Sequence, residues 1–165
     1  MCIRDRFGAE VLLEGLKRLE YRGYDSAGIA VLQHGRIEIR RSVGKLLHLE
    51  EALKQEHLFG TAGIGHTRWA THGRPSEQNA HPHRSGDVVI VHNGIIENYL
   101  AHKQRLETAG YHFESETDTE VIAHLLAFHM EEGQSLQHAF RATIRQLHGS
   151  YAIAGICVSE PDTLW

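Results

Sequence analysis

Four β-branched residues in succession, Val88-Val89-Ile90-Val91, narrow the fold more than any other feature of this chain. Branching at Cβ suits an extended, packed backbone, so the run predicts a strand over Asp87–His92. Apolar runs also predict strands at Ile29–Leu32 and Ile37–Arg41, around a turn at His34-Gly35, and at Ala62–His66. Tyr151–Val158 reads as a further, buried strand. Helical spacing falls between these segments. Gly8–Glu20 carries Leu12, Leu13, Leu16 and Leu19 on one face, with Lys17 and Arg18 outside. Gly44–Glu56 and Asn98–Ala109 also read as helices, the second closed by Gly110. Thr117-Asp118-Thr119-Glu120 fits a capping box, with Thr117 as the cap and Glu120 reaching back. Its helix runs to about Glu131, turns Val121, Ile122, Leu125 and Leu126 inward, and ends at Gly133. A last helix, Ser135–Leu147, is expected to bury Leu136, Phe140, Ile144 and Leu147. Thr67–Ser85 shows no period. Groups of strands separated by helix pairs predict a layered mixed fold, with its topology left open by pattern alone.

Composition excludes several classes. The 165 residues suit one domain with a real core. No apolar run is long enough to span a membrane, and none follows a basic start as a secretory signal would. The formal net charge of −4 argues against a nucleic-acid partner. Two cysteines, Cys2 and Cys157, are too few for a secreted disulfide framework, and a reduced cytoplasmic location is expected. No phosphate-binding Gly-rich motif is present, so nucleotide binding is unsupported. The fourteen histidines raise the question of metal. They are scattered, and His81-Pro82-His83, the nearest approach to a ligand pair, supplies only two donors where a site needs more. Packing or surface roles are the expectation, and no metal is assigned.

Four segments carry candidate chemistry, each beside a plainer reading. If Met1 is removed, Cys2 brings a thiol and a free α-amine together, and an amine titrating near pH 8 can take the thiol proton. A cysteine at position two also occurs by chance. In His66-Thr67-Arg68-Trp69-Ala70-Thr71-His72-Gly73, the guanidinium fork of Arg68 suits a carboxylate, and Trp69 could wall a pocket. A surface arginine beside a core tryptophan is the alternative. In His92-Asn93-Gly94, the Asn93 amide and the Gly94 N–H could hold an oxyanion, or Asn-Gly could simply turn a hairpin. Asp118, in the first turn of a helix, could bind an ammonium group or serve the helix dipole.

Taken together, the segments resemble one family. Glu20–Gly28, His66–Gly73, Pro75–His83, Val91–Asn98 and Ser115–Glu120 are similar, in order and approximate spacing, to signature segments of the glutamine–fructose-6-phosphate aminotransferases. The resemblance covers about residues 8 to 165 and lies in the class II glutamine amidotransferase half of those enzymes. It implies an α+β N-terminal-nucleophile hydrolase fold, an αββα sandwich of two antiparallel sheets between helical layers. It also implies hydrolysis of the glutamine side-chain amide to glutamate and ammonia. The catalytic set would be Cys2, Asn93 and Gly94. Arg68 would clamp the substrate α-carboxylate with Thr71 and His72 nearby and Trp69 beside it. Asp118 would bind the α-ammonium, and Arg22 and His81 would organise or close the site. No metal or organic cofactor is implied. Fructose 6-phosphate would enter only through a sugar-isomerase domain absent from this chain, and the full enzyme would be a homodimer.

The start departs from the pattern. The family begins Met-Cys-Gly-Ile-Val-Gly, whereas this chain begins Met1-Cys2-Ile3-Arg4-Asp5-Arg6. Three charged residues in succession are poor material for a buried strand. Met1–Arg6 is therefore expected to be foreign to the domain, with a diverged genuine start as the alternative. On this reading residues 1–165 are one glutaminase domain, incomplete at its C-terminus and unusual over residues 1–7. A glutamine-binding fragment without turnover is the competing expectation.

Overall fold

The computed structural model describes residues 2, 3, 8–23, 25–70 and 72–165, with backbone only at Cys2, Ile3 and Arg22. Among the described residues, seven strands and five α-helices follow in the order β1 (Cys2–Ile3), α1 (Gly8–Lys17), β2 (Ser26–Gln33), β3 (Arg36–Val43), α2 (Leu46–Gln55), β4 (Ala62–Arg68), β5 (His83–Ser85), β6 (Val88–Ile96), α3 (Tyr99–Thr108), α4 (Thr119–Glu131), α5 (Leu136–Gln146) and β7 (Gly149–Cys157). A 3₁₀ turn at Glu20–Arg22 links α1 to β2.

One sheet has the order β1-β4-β2-β3 and the other β5-β6-β7, all pairs antiparallel. The period of two along each strand then builds the layers. In β2, Ala27, Ile29 and Val31 face α1 and α2, where Leu12, Leu16, Leu49 and Leu53 cover them. Ala30 and Leu32 point the other way and, with Ala62 and Ile64 of β4, meet Val89, Val91 and Ile156 of the second sheet. The far face of that sheet, Val88, Ile90 and Ile96, is covered by Ile122, Leu125 and Leu126 of α4 and Leu136 and Ala139 of α5. Each fully buried Leu or Ile contributes about 1.5–3 kcal/mol of transfer free energy. The architecture is the expected α+β sandwich, two antiparallel sheets between helical layers.

The elements depart from expectation in physically readable ways. The turn at His34-Gly35 is a two-residue hairpin with positive φ at both residues, 49° and 76°. Helix α1 stops at Lys17 rather than Glu20, which leaves Leu19 36% exposed. In α5 the buried places go to Leu136, Ala139 and Thr143; Phe140 and Ile144 are only partly covered. Only the last three residues of β7, Gly155 to Cys157, are buried, because β7 lies at a sheet edge. Trp165 folds back over that end, where its carbonyl accepts the Gly155 N–H at 2.7 Å. The reading that the start builds no strand is corrected at its first described residues: Cys2 and Ile3 pair with Ile64 and Gly63. Met1 and Arg4–Phe7 lie outside the described residues.

The capping box is also corrected. The N-cap of α4 is Asp118, and its side chain makes no cap bond. The Thr117 hydroxyl is engaged instead with Ser115 Oγ at 2.9 Å and His83 Nε2 at 3.2 Å. Glu120 does reach back, but further than predicted. Its carboxylate accepts the N–H of Glu114 at 2.9 Å, the N–H of Ser115 at 2.7 Å and the Ser115 hydroxyl at 2.6 Å. Burial alone would push this carboxyl up in pKa; the contact with His124 and the bonds from Ser115 and Glu114 outweigh it and hold it at about 2.

Candidate active site

A cleft of about 370 Å³ opens where the ends of β4 and β6 meet the start of α4. Strand parity explains why polar groups gather there. Ile64 and His66 share one face of β4; Val91 and Asn93 share one face of β6. Both faces look into the space between the sheets. Apolar side chains fill that space as far as Ile64 and Val91. One step further along each strand the next residues are His66 and Asn93, and His66 Nε2 lies 2.7 Å from Asn93 Oδ1.

His92 has the opposite parity and points to α4, where its Nδ1 lies 2.9 Å from Thr119 Oγ1. His81 reaches the same hydroxyl, with Nε2 at 3.0 Å. His81 also stacks on His66 at 4.2 Å between centroids. Burial makes the charged form of each of these imidazoles costly. It brings His66 down to about 4 and holds His81 and His92 below their ordinary value. His83 is held down to about 3, first by burial and then by the charge of Arg41. The His81-Pro82-His83 pair is thus divided between two hydroxyls, Thr119 and Thr117. Among the described residues no group of three or more His, Cys, Asp or Glu side chains could hold a metal ion.

The predicted ligand-binding residues divide as follows. Arg68 and Asp118 both line the cleft, each 3% exposed. The Arg68 Nη2 donates to the carbonyls of His72 and Gly73, the second at 3.1 Å, and Nη1 lies 3.5 Å from Asp25 Oδ1. Asp25 also accepts the Ala70 N–H. The guanidinium is therefore fixed in one orientation before any ligand arrives. Asp118 Oδ2 accepts the Ile96 N–H at 2.8 Å, and Oδ1 faces His72 Nδ1 at 3.9 Å. Trp69 and His72 line the mouth, with Trp69 60% exposed and His72 edge-on to Tyr99. His81 lies in the buried wall rather than at the rim. Thr71, the Arg22 side chain and the Cys2 thiol lie outside the described residues. The Cys2 backbone pairs with Ile64, the neighbour of Gly65 in the cleft wall.

The hairpin reading of Asn93-Gly94 is overturned. Strand β6 runs through both residues and pairs with β7 as far as Ile96. Gly94 has φ +129°, and a Cβ there would sit 2.1 Å from the Ser150 carbonyl oxygen. Only glycine fits. Sequence reasoning assigned no role to His66, His92 or Thr119, and only a capping role to Thr117, although all four line the cleft. The available signal was parity, His66 standing two residues after Ile64, but it becomes readable only once the partner strand is known.

Similarity to known proteins agrees with this geometry. The model of the glutamine amidotransferase domain matches residues 66–164. The glutamine–fructose-6-phosphate aminotransferase (isomerizing) of Acinetobacter baylyi is 54% identical over 162 residues, 98% of this chain and 26% of that protein. Its counterpart in Shewanella oneidensis is 55% identical over 151 residues, 91% of this chain and 25% of that one. The chain thus spans about a quarter of the length of these curated relatives. Among solved structures, the glutamine phosphoribosylpyrophosphate amidotransferase of B. subtilis superimposes with a TM-score of 0.81 at 26% identity, over 95% of this chain and 34% of that one. The chain belongs to the glutamine amidotransferase domain family.

Proposed function

We propose that this chain is a glutaminase domain that hydrolyses the side-chain amide of glutamine. The observation that carries the reading is one cleft lined by a buried cation, Arg68, a buried anion, Asp118, and the exposed amide of Asn93. Free glutamine offers the matching set: a carboxylate, an ammonium and an amide carbonyl. Arg68 takes the α-carboxylate, with Thr71 and His72 beside it, and Asp118 takes the α-ammonium. Trp69 walls the cleft, while Arg22 and His81 organise it.

The nucleophile in this reading is Cys2, exposed as the first residue once Met1 is removed. Its α-amine takes the thiol proton, and the thiolate attacks the amide carbon. The Asn93 amide and the Gly94 N–H hold the tetrahedral oxyanion. The proton passes to the leaving nitrogen, ammonia departs and a glutamyl thioester remains. Water then cleaves the thioester and releases glutamate. The pairing of Cys2 with Ile64, beside Gly65 in the cleft wall, supports this assignment.

Residues 1–165 act as one glutaminase unit. In the whole protein the ammonia aminates fructose 6-phosphate, the sugar phosphate in the names of the curated relatives, and on this reading a sugar-isomerase domain forms glucosamine 6-phosphate from it. That protein is a cytoplasmic homodimer. Among the described residues no helix is long and apolar enough to cross a membrane. Incubating the chain with glutamine and measuring glutamate tests the proposal. Release is expected, and it should vanish in Cys2→Ala. Release that persists in Cys2→Ala rejects Cys2 as nucleophile, and no release from the unsubstituted chain rejects the glutaminase reading.

A further inference from the structure

An asparagine amide can stabilise an oxyanion in only one of its two orientations. With NH₂ toward the cleft it donates to the developing charge; turned by 180° it presents a carbonyl oxygen and repels it. We infer that His66 is the positioning residue that selects the productive orientation, donating from Nε2 to Asn93 Oδ1 and so turning the Asn93 NH₂ toward the substrate. The inference rests on the glutaminase reading for its catalytic meaning.

Three observations carry it. The first is contact: Nε2 and Oδ1 are 2.7 Å apart, across the gap between the two sheets. The second is the other ring nitrogen. His66 Nδ1 is buried and has no hydrogen-bond partner. A proton on Nδ1 would be a buried N–H with nothing to receive it, and such orphaned donors are rare in folded proteins. A bare Nδ1 leaves the ring's single proton on Nε2. Oδ1 is then the acceptor, which places Nδ2 on the far side of the amide. The third is immobilisation. The His66 ring stacks on His81, which is itself pinned to the Thr119 hydroxyl at 3.0 Å.

The surroundings keep the ring neutral. Burial is the largest cause, and the positive charge of Arg68 adds to it against a second proton. The contact between Nε2 and Asn93 opposes this without overturning it. A cationic ring would still donate to Oδ1, but it would bury an Nδ1–H with no acceptor. The one-proton form makes the Asn93 bond without that cost.

The test uses two substitutions and one spectrum. His66→Phe fills the space of the ring but cannot donate; kcat should fall about ten- to a hundredfold with KM within about twofold, the size expected for disturbing one oxyanion donor. His66→Gln can donate an amide N–H to the same oxygen and should recover kcat to within about threefold of the unsubstituted chain. Undiminished kcat in His66→Phe overturns the inference, as does a His66→Gln variant no better than His66→Phe. Histidine ¹⁵N shifts of the unsubstituted chain decide the point without turnover and without relying on either variant to fold. A protonated Nε2 and a bare Nδ1 at His66 are expected; a protonated Nδ1 overturns the inference. A chain that shows the expected tautomer and releases no glutamate refutes the glutaminase reading, while the amide orientation stands.

Discussion

The two halves of β6 make opposite use of one strand. From Val88 to Val91 every side chain is buried, alternately against α4 and against the first sheet. From His92 onward the same alternation delivers His92 to Thr119 and Asn93 to His66. Asn93, Gly94 and Ile95 are exposed. One half of the strand is held by apolar packing on both faces. The other is held by hydrogen bonds and, at its last residue, by the buried Ile96, and it carries groups that a packed core would not tolerate. Placing a functional segment on the continuation of a rigid strand holds it in place without covering it.

The sharpest way to break this comparison is to truncate one residue in each half. Ile90→Ala, at a fully buried position, is expected to cost about 2–5 kcal/mol of stability by urea unfolding. Asn93→Ala is expected to cost less than about 1 kcal/mol of stability but to lower kcat for glutamine hydrolysis about 10²–10³-fold. Equal stability losses at the two positions would erase the distinction. Gly94→Ala should be the costliest change in the polar half. The positive φ and the overlap with the Ser150 carbonyl together predict about 2–3 kcal/mol, read from the same unfolding curves. A stability unchanged by this substitution would mean that β6 and β7 are not paired at that point.

Thr119→Val keeps the shape of the side chain but removes the hydroxyl shared by His81 and His92. It should cost about 1–3 kcal/mol, because it leaves two buried imidazole nitrogens without their partner. The most gradual effect is on pH dependence. His66 and His83 titrate near 4 and 3 in the folded chain, below the ordinary value of 6.5. As pH falls from 6.5 towards 4 the unfolded chain takes up protons that the folded chain refuses, so stability must fall across that window. It should be fully present above about pH 7. Glu120 behaves as a depressed carboxylate, and its contribution is lost only as pH drops from the ordinary range near 4.5 towards about 2. A urea midpoint that stays level between pH 7 and pH 5 would show that His66 and His83 are not held neutral.

Much of the fold was legible because apolar period is a local property. Val88–Val91, the Leu12-Leu13-Leu16 face of α1 and the Ile122-Leu125-Leu126 face of α4 were each readable from neighbouring residues, and each packs as expected. Errors arose where a remote partner overrode a local preference. Asn93-Gly94 has the chemistry of a turn, yet it stays in a strand because β7 pairs alongside. Thr117 has the chemistry of a cap, yet His83, 34 residues away in sequence, engages its hydroxyl. Tyr151–Ala154 has the apolar content of a core strand, yet it stands at an edge.

The candidate site divides in the same way. Arg68, Trp69, His72, Asn93, Gly94 and Asp118 were named from short segments, and all six line one cleft. Their residue types and order are written in the chain, because the chemistry of a guanidinium, an amide or a carboxylate belongs to the residue itself. Only the tertiary structure decided that Arg68 is held by Asp25, that Asp118 holds the Ile96 N–H, and that His66 meets Asn93. Those pairings join residues 22 to 43 positions apart, and no local period encodes a register between two sheets. That register is set by the apolar faces of the two sheets, which gather Ile64 and Val91 into one core cluster and bring His66 and Asn93 into contact one step beyond.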